Sequence, residues 1–433
     1  MDNNNIKVYR SLTTNIMENT VKLIFKPINS STNISQVLSE IKDVYKDKQE
    51  PMPKLTVSEN YSSTPITSSL ILEATNPIQL NKIFRTIKDG ITEPIEQVKK
   101  DIVYKEIITY DHMYTEVTDK SSNKHNKIRM VCVPISDNIL NLIQNKTSIQ
   151  TIEILINQLP SIYLRNLYLA AQCQIHGTRY IHQQKVRFLK ELLKEKNLKQ
   201  SGRKQELIDR LHNIGINICP EPDRVIRCGK NIVIANDIRS NITGQDKPYV
   251  GFSMIKDSIK SAFEWVMIEG PICNSKCQNM CFIINEILLY KEPRHHRSTQ
   301  IIPMVRQVML AAIRVSKPRL MEPYYICNIT CPVSQKGKIS TLLANKEYDI
   351  IEEKEKFNYH LSIGHEYSIK IKISAKQTLY FDAKLDDQLD ITYKLSDWKI
   401  LDSDPLDLNS NSGKIVSQVR VDNGLDSHLV TTC

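Results

Sequence analysis

Residues 21–45 read VKLIFKPINSSTNISQVLSEIKDVY, and the spacing of their apolar residues changes halfway through. The first part, VKLIFKPI, is a short apolar run typical of a strand. The second part predicts a helix, because its apolar residues recur at i, i+3, i+4 and i+7, at Ile34, Val37, Leu38 and Ile41. A strand followed by such a helix begins a split βαβ unit.

The next segments complete that unit. KLTVSEN (54–60) and ITSSLILEA (66–74) predict two strands, and IQLNKIFRTIKDG (78–90) predicts a second helix that stops at Gly90. A last strand is expected near 93–103. The order strand, helix, strand, strand, helix, strand assigns residues 21–103 to a sheet with two helices on one face. Residues 1–20 are expected to form a flexible arm.

A second unit with the same order is predicted over 321–403. Its strands are YYICNITCPV (324–333), EYDIIEEKE (347–355), HEYSIKIKIS (365–374) and ITYKLSDWKIL (391–401). Its helices are KISTLLANK (338–346) and AKQTLYFDAKL (375–385). Cys327 and Cys331 are four positions apart on the first strand, so both are expected on its buried face. Residues 404–433 are assigned to a C-terminal extension.

The two units flank a larger middle region at 104–320. It opens with the predicted strand IVYKEIITY (102–110) and later contains the helix MIKDSIKSAFEWVMIEG (254–270) and the strand MCFIINEILLY (280–290). A further helix is expected after Pro303 and before Lys317-Pro318. The predicted fold class is therefore α+β, with two split-βαβ, ferredoxin-like domains flanking the middle region.

Composition and charge exclude several classes of protein. The chain has 433 residues, 12 glycines and a formal net charge of +10. None of the glycines lies at the spacing of a phosphate-binding loop, which excludes a recognisable nucleotide motor. The 10 cysteines are too few for a disulfide scaffold of this length. The polar start MDNNNIKVYR and the lack of a run of about 18–20 apolar residues predict no signal peptide, no membrane span and a cytoplasmic location.

The titratable residues predict no catalysis and no cofactor. His360 and His365 have no nucleophile or carboxylate partner at the spacing of a catalytic motif. One cysteine-rich stretch is interpreted as structural, because its last cysteine enters a predicted strand. The alternative for this stretch is a zinc site, whose ligands would be Cys273, Cys277 and Cys281 with His295 or His296.

The turn KEPRHHRST (291–299) concentrates basic side chains between a predicted strand and a predicted helix. Such a turn at the end of a rigid scaffold can contact nucleic-acid phosphate groups. The alternative is an ordinary solvated loop. The candidate contacts are Lys291, Arg294, His295, His296 and Arg297.

Several stretches resemble the C-terminal half of eukaryotic and archaeal translation elongation factor two. The most specific is QIIPMVRQVMLAAIRVSKPRLMEPYYICNITCPV (300–333), and the others are SSNKHNKIRM (121–130), SAFEWVMIEGPIC (261–273) and DWKILDSDPLD (397–407). The resemblance implies the third, fourth and fifth domains of that family, with an elongated fourth domain. It also implies the ribosome and its rRNA as partners. The GTPase domain of the family has no counterpart here, which leaves a separate GTPase subunit open.

The same resemblance places His295 at the histidine that the family modifies to diphthamide. In the family an arginine and three glycines follow, whereas this chain has His296, Arg297, Ser298 and Thr299. Side chains at the glycine positions disfavour a positive φ and a close backbone approach. This departure argues against the modification, although the basic loop retains its attraction for RNA phosphate.

A basic insert at 178–211 holds ten Lys or Arg and four acidic residues, so +6 of the net +10 lies there. Two leucine-rich segments joined by Ser201-Gly202-x-Lys204 resemble a SAP motif, a helix-loop-helix that binds DNA. Ser201 is expected to cap the second helix. The alternatives are rRNA as the ligand, and a solvated amphipathic hairpin without one. The candidate contacts are Lys190, Lys194, Lys199, Arg203, Lys204 and Arg210.

These observations lead to two hypotheses from different classes. The first is a non-GTPase relative of elongation factor two that binds the ribosome and takes part in or modulates translation elongation. The second is a DNA-binding protein that carries a SAP motif on a repurposed translocase scaffold. A gene remnant without activity is a third alternative.

Overall fold

A computed structural model describes residues 18–28, 34–47, 52–60, 67–109, 115–135, 225–235, 250–290, 292–356, 366–381 and 389–427, with individual positions between 186 and 210. These residues form helices and mainly antiparallel sheets, which confirms the predicted α+β class. The chain divides into two compact units. The first joins the chain up to Tyr104 with Met321–Leu401 and Ser417–His428, and the second joins Lys105–Leu320 with Asp402–Val416. The finer domain boundaries drawn from the sequence stay predictions.

The first sheet follows the predicted split βαβ order. Its strands pair in the order β2-β3-β1-β4, and all the pairs are antiparallel. Both helices pack on one face, where Phe25 meets Phe84 with ring centroids 5.5 Å apart. Asn76 caps the second helix through its side-chain oxygen, which accepts from the Gln79 amide at 2.9 Å. The elements are β1 (Val21–Pro27), α1 (Ile34–Asp47), β2 (Lys54–Asn60), β3 (Thr67–Ala74), α2 (Pro77–Gly90) and β4 (Ile95–Ile102).

The second unit contains a five-stranded sheet in the order β6-β7-β11-β9-β8. Helices α3 and α4 pack on one face of it, and Phe263 of α3 meets Phe282 of β11 at 6.0 Å in the buried core. The short strands β5 and β10 pair in parallel. The elements are β5 (Lys105–Ile108), β6 (Val117–Lys120), β7 (Lys127–Pro134), β8 (Val225–Cys228), β9 (Asn231–Ala235), α3 (Val250–Ile268), β10 (Lys276–Cys277), β11 (Met280–Leu288) and α4 (Ser298–Val315).

Helix α4 begins earlier than the sequence predicted. It was expected to follow Pro303, but it starts at Ser298 and contains that proline. A proline inside a helix removes one backbone donor, here toward the carbonyl of Thr299. The helix tolerates the loss because Pro303 lies near its N-terminus on the exposed side.

The second split βαβ sheet pairs its strands in the order β15-β12-β14-β13, again antiparallel. Cys327 and Cys331 are both buried on β12, as predicted. The elements are β12 (Pro318–Pro332), α5 (Lys336–Leu343), β13 (Tyr348–Lys356), β14 (Glu366–Ser374), α6 (Ala375–Thr378) and β15 (Asp390–Ile400).

Helix α6 is shorter than the predicted helix over 375–385. Two carbonyl groups of this helix accept hydrogen bonds from side chains. The Thr378 hydroxyl donates to the Ala375 carbonyl at 2.8 Å, and the Lys346 ammonium donates to the Gln377 carbonyl at 2.8 Å. The helix ends at Thr378, and residues 382–385 lie outside the described part of the chain.

The predicted C-terminal extension contains a helix, α7 (Asn411–Asp422). Its last residue contacts the first sheet. The Asp422 carboxylate accepts from the Lys99 ammonium at 2.7 Å, and the Asp422 carbonyl accepts from the Ser58 hydroxyl at 2.9 Å. The end of this helix is thus part of the first unit.

A buried polar contact joins the two split sheets within the first unit. The Tyr325 and Thr20 hydroxyls are hydrogen-bonded to each other, and their oxygens lie 3.2 Å and 2.7 Å from the Thr75 carbonyl oxygen, which accepts from the hydroxyl whose proton is not used between them. Tyr325 and Thr20 are fully buried. The last residue of the predicted N-terminal arm is therefore held in the core.

Replacing Tyr325 with phenylalanine removes this contact without changing the packed ring. We expect Tyr325→Phe to lower the free energy of unfolding by about 0.5–1.5 kcal/mol, the net value of a buried hydrogen bond. Urea denaturation measures the loss. The matched control is Tyr380→Phe, whose side chain is exposed. Equal stability of the two variants would contradict a structural role for the Tyr325 hydroxyl.

Candidate nucleic-acid-binding sites

The described residues of the basic insert belong to two helical segments joined by a loop at 198–203. Leu193 of the first segment and Leu207 of the second are fully buried. Their burial agrees with the apolar faces that the sequence predicted. The other apolar residues of those faces, Leu189, Leu192, Ile208 and Leu211, lie outside the described residues.

Arg210 holds the loop between the two helical segments. Its guanidinium donates to the Lys199 carbonyl at 2.9 Å and to the Ser201 carbonyl. It also lies 3.8 Å from the Glu206 carboxylate. Because these bonds use the loop backbone as acceptor, Arg210 shapes the loop and is only partly free to meet a phosphate.

The second helix is capped two residues later than predicted. The Arg203 carbonyl accepts from the Leu207 amide at 3.2 Å, which makes Arg203 the N-cap in place of Ser201. The Arg203 amide donates to Glu206 at 3.3 Å, so the glutamate three residues on supplies half of a capping box. Ser201 is displaced from the cap because Gly202 turns the chain with a φ of +135°.

The predicted contacts of the insert fall into two groups. Lys204 is half-buried, and the Arg210 side chain is 30% exposed. These two residues form the less exposed group. The charged ends of the second, exposed group lie in water on both sides of the loop, where a polyanion can reach them. The exposed group consists of Lys190, Lys194, Lys199 and Arg203.

The second predicted site, the basic turn, is anchored to the hairpin between β6 and β7. The His295 carbonyl accepts from the Asn123 side-chain amide at 2.9 Å and from the Asn126 side-chain amide at 2.7 Å. The Asn126 side-chain oxygen accepts from the Tyr290 amide at 3.2 Å. Neither asparagine was predicted from the sequence to have a role at the site. A positive φ at Lys124, +61°, closes the hairpin between them.

Three rings pack together on this anchored turn, which we call the tip (residues 121–126 and 290–300). The centroid of His295 lies 4.5 Å from His125 and 4.8 Å from Tyr290, and the last two rings are 4.5 Å apart. His296 contacts the Tyr290 carbonyl through Nδ1 at 3.1 Å. The imidazole of His295 is thus partly enclosed by neighbouring rings.

The basic side chains of the tip point outward. The Arg294 side chain is 69% exposed and pairs with Glu292, and Arg297 is exposed. Arg297 has a φ of −66° and is the N-cap of α4, whose first two residues are Ser298 and Thr299. Ordinary backbone at these positions explains why three non-glycine residues fit there. Lys291 lies outside the described residues.

The three cysteine side chains of the cysteine-rich stretch are buried. The Cys277 thiol donates to the Val266 carbonyl at 3.5 Å, and the Cys273 thiol lies 3.8 Å from Glu106. Burial raises the pKa of the Cys277 and Cys281 thiols, so without a bound cation they stay protonated. The described residues contain no group of three or more potential metal ligands. His360 and His365 lie outside them.

A family model for the SAP domain matches residues 183–213. The chain therefore contains a SAP domain, at the place where the sequence had suggested a SAP motif. The presence of this domain suggests nucleic-acid binding. Among the described helices, none is long and apolar enough to cross a membrane.

The SAP loop requires glycine at position 202. A Cβ there would lie 2.4 Å from Glu206 Oε2, in a backbone conformation that side chains rarely adopt. We expect Gly202→Ala to destabilise the loop by about 1–3 kcal/mol, the usual cost of a strained backbone position. Limited proteolysis should show faster cleavage within 183–213. The control is Gly337→Ala, where a Cβ meets nothing within 4 Å. Unchanged cleavage in both variants would disprove the constraint.

Proposed function

We propose that this protein binds nucleic acid through its SAP domain, with duplex DNA as the ligand. The observation that carries the proposal is the match of the SAP domain to residues 183–213, the region where the positive charge of the chain concentrates. DNA attracts such a region because bound cations release counterions from the phosphates.

The arrangement of the exposed side chains supports this ligand. Lys190 and Lys194 are four residues apart in one helical segment, so they lie on one face. Lys199 and Arg203 lie in the loop to which Arg210 is hydrogen-bonded. These cations carry no base-reading geometry, so we assign them to phosphate contacts that position the protein.

Neutralising two of these cations should weaken DNA binding and its salt dependence together. For the double variant Lys199→Gln/Arg203→Gln, we expect the slope of log K against log salt to become less steep by about 2, because each phosphate contact contributes about 0.9. Fluorescence anisotropy with an AT-rich duplex measures K between low and moderate salt. The control Lys82→Gln/Arg85→Gln removes the same charge from the exposed side of α2. An equal change in both variants would show that only net charge matters.

A second candidate function rests on the tip. We propose that the protein is a non-GTPase relative of elongation factor two that binds ribosomal RNA in the cytoplasm and modulates translation elongation, without catalysis of its own. The stretch 121–130 and the position of His295, both assigned by the resemblance to this family, meet at the His295 carbonyl although about 170 residues separate them. Arg294 and Arg297 would then contact rRNA phosphates. A separate GTPase subunit would supply the domain that has no counterpart here.

Sedimentation with ribosomes at low salt tests the second candidate. We expect co-sedimentation of the natural protein and a clear loss, at least several-fold, for Asn126→Ala, because that change leaves the Tyr290 amide without its acceptor and removes one of the two anchors of His295. Asn328→Ala, at an exposed position of β12, is the matched control. The absence of any co-sedimentation would remove this candidate, and competition by duplex DNA alone would favour the SAP domain as the binding surface.

A further inference from the structure

The second split βαβ sheet, formed by β12 to β15, has one face that is open to solvent. Along β12, buried side chains alternate with partly exposed ones. Tyr325 and Cys327 point to the buried face, whereas Tyr324 and Ile326 point to the other face. A four-stranded sheet with an open face is the surface on which RNA-recognition modules stack bases on aromatic side chains. A shared architecture does not establish a function, so the residues of this face decide what it can bind.

The strand register places lysines on both sides of β12 on the open face. Ile326 lies opposite Lys372 of β14 on one side and opposite Lys394 of β15 on the other. Neighbouring strands are about 4.8 Å apart, so the two lysines start about 10 Å apart on the same face. Lys399 of β15 lies on this face too, because its partner in the register is Glu322, two residues before Tyr324.

The ring of Tyr324 lies between cations. The Lys372 ammonium is 5.9 Å from the ring centroid, and the Lys399 ammonium is 5.6 Å from it. Both distances are within the range of a cation–π contact. The Lys372 ammonium also donates to the Asp397 carboxylate at 3.0 Å. The open face therefore offers an aromatic ring with positive charge next to it.

The charge of the open face differs between its two edge strands. Strand β13 carries Asp349 and Glu352 on this face, opposite lysines of β14. Strand β15 carries Lys394 and Lys399, both of which are exposed and neither of which has an ion-pair partner among the described residues. A polyanion is therefore attracted to the β15 side of the sheet and repelled from the β13 side.

We propose that the open face of the second split βαβ sheet binds single-stranded nucleic acid. One unpaired base stacks on the Tyr324 ring, and the phosphates next to that base contact the ammonium groups of Lys394 and Lys399. Duplex DNA does not fit this site, because its bases are already paired and stacked and cannot reach the ring. The site uses no residue of the SAP domain or of the tip, so it is independent of both proposed functions.

Two substitutions of Tyr324 test the stacking. Fluorescence anisotropy with oligo(dT) and oligo(U) of about 12 nucleotides measures binding, with unlabelled duplex DNA in excess to occupy the SAP domain. We expect Tyr324→Leu to weaken binding about tenfold through the loss of one stacked base, and Tyr324→Phe to bind like the natural protein. The oligomer that binds more tightly identifies DNA or RNA as the ligand. The absence of binding to both oligomers, or equal affinities of the two variants, overturns the proposal.

A lysine variant tests the phosphate contacts without changing the ring. For Lys394→Gln/Lys399→Gln, we expect the slope of log K against log salt to become less steep by about 1.4, because each phosphate contact of a single strand contributes about 0.7. The control Lys42→Gln/Lys46→Gln removes the same charge from the exposed side of α1. An equal change of slope in both variants overturns the proposal.

The SAP variant Lys199→Gln/Arg203→Gln separates this site from the proposed binding of duplex DNA. It should weaken duplex binding and leave the affinity for the single strand unchanged. A parallel loss of both affinities in this variant would place the single strand on the SAP domain and overturn the sheet site. Failure of duplex binding in the natural protein would contradict the proposed function and leave the single-strand measurement intact.

Discussion

The hydrogen bonds of the Asn126 side-chain amide hold together one end of the second unit. Asn126 is almost fully buried, donates to the His295 carbonyl and accepts from the Tyr290 amide. A hairpin and a turn that are far apart in the chain therefore present a single surface. A buried amide left unbonded would cost about 1–3 kcal/mol, so the three groups constrain one another.

A similar arrangement, in which a polar side chain is hydrogen-bonded to the backbone of a loop, occurs at two other places in the chain. In the SAP loop, the Arg210 guanidinium holds the backbone carbonyls of Lys199 and Ser201, and this fixes where the exposed cations stand. Around Glu106, backbone amides enclose a carboxylate. In each case one polar side chain forms hydrogen bonds with the backbone of a loop. The residues that face solvent are different from the residue that forms these bonds.

The sequence predicted the parts of the fold that depend on local periodicity. Both split βαβ orders were predicted correctly because the apolar spacing of strands and helices differs over a few residues. Element ends were less well predicted. Helix α4 starts before Pro303, α6 stops after one turn, and the SAP cap falls on Arg203. Apolar periodicity does not specify these ends, because it describes the faces of a helix and not the residues at which the helix begins or stops.

The sequence by itself determined the α+β class, the order of the elements, the position of the basic insert and its SAP character. Each of these follows from residue types close together in the chain. The tertiary structure alone decided that Arg210 supports a loop, that Asn126 anchors His295 and that Glu106 is buried among backbone amides. The last two depend on partners more than 150 residues away, and the first on a glycine conformation that residue spacing does not specify.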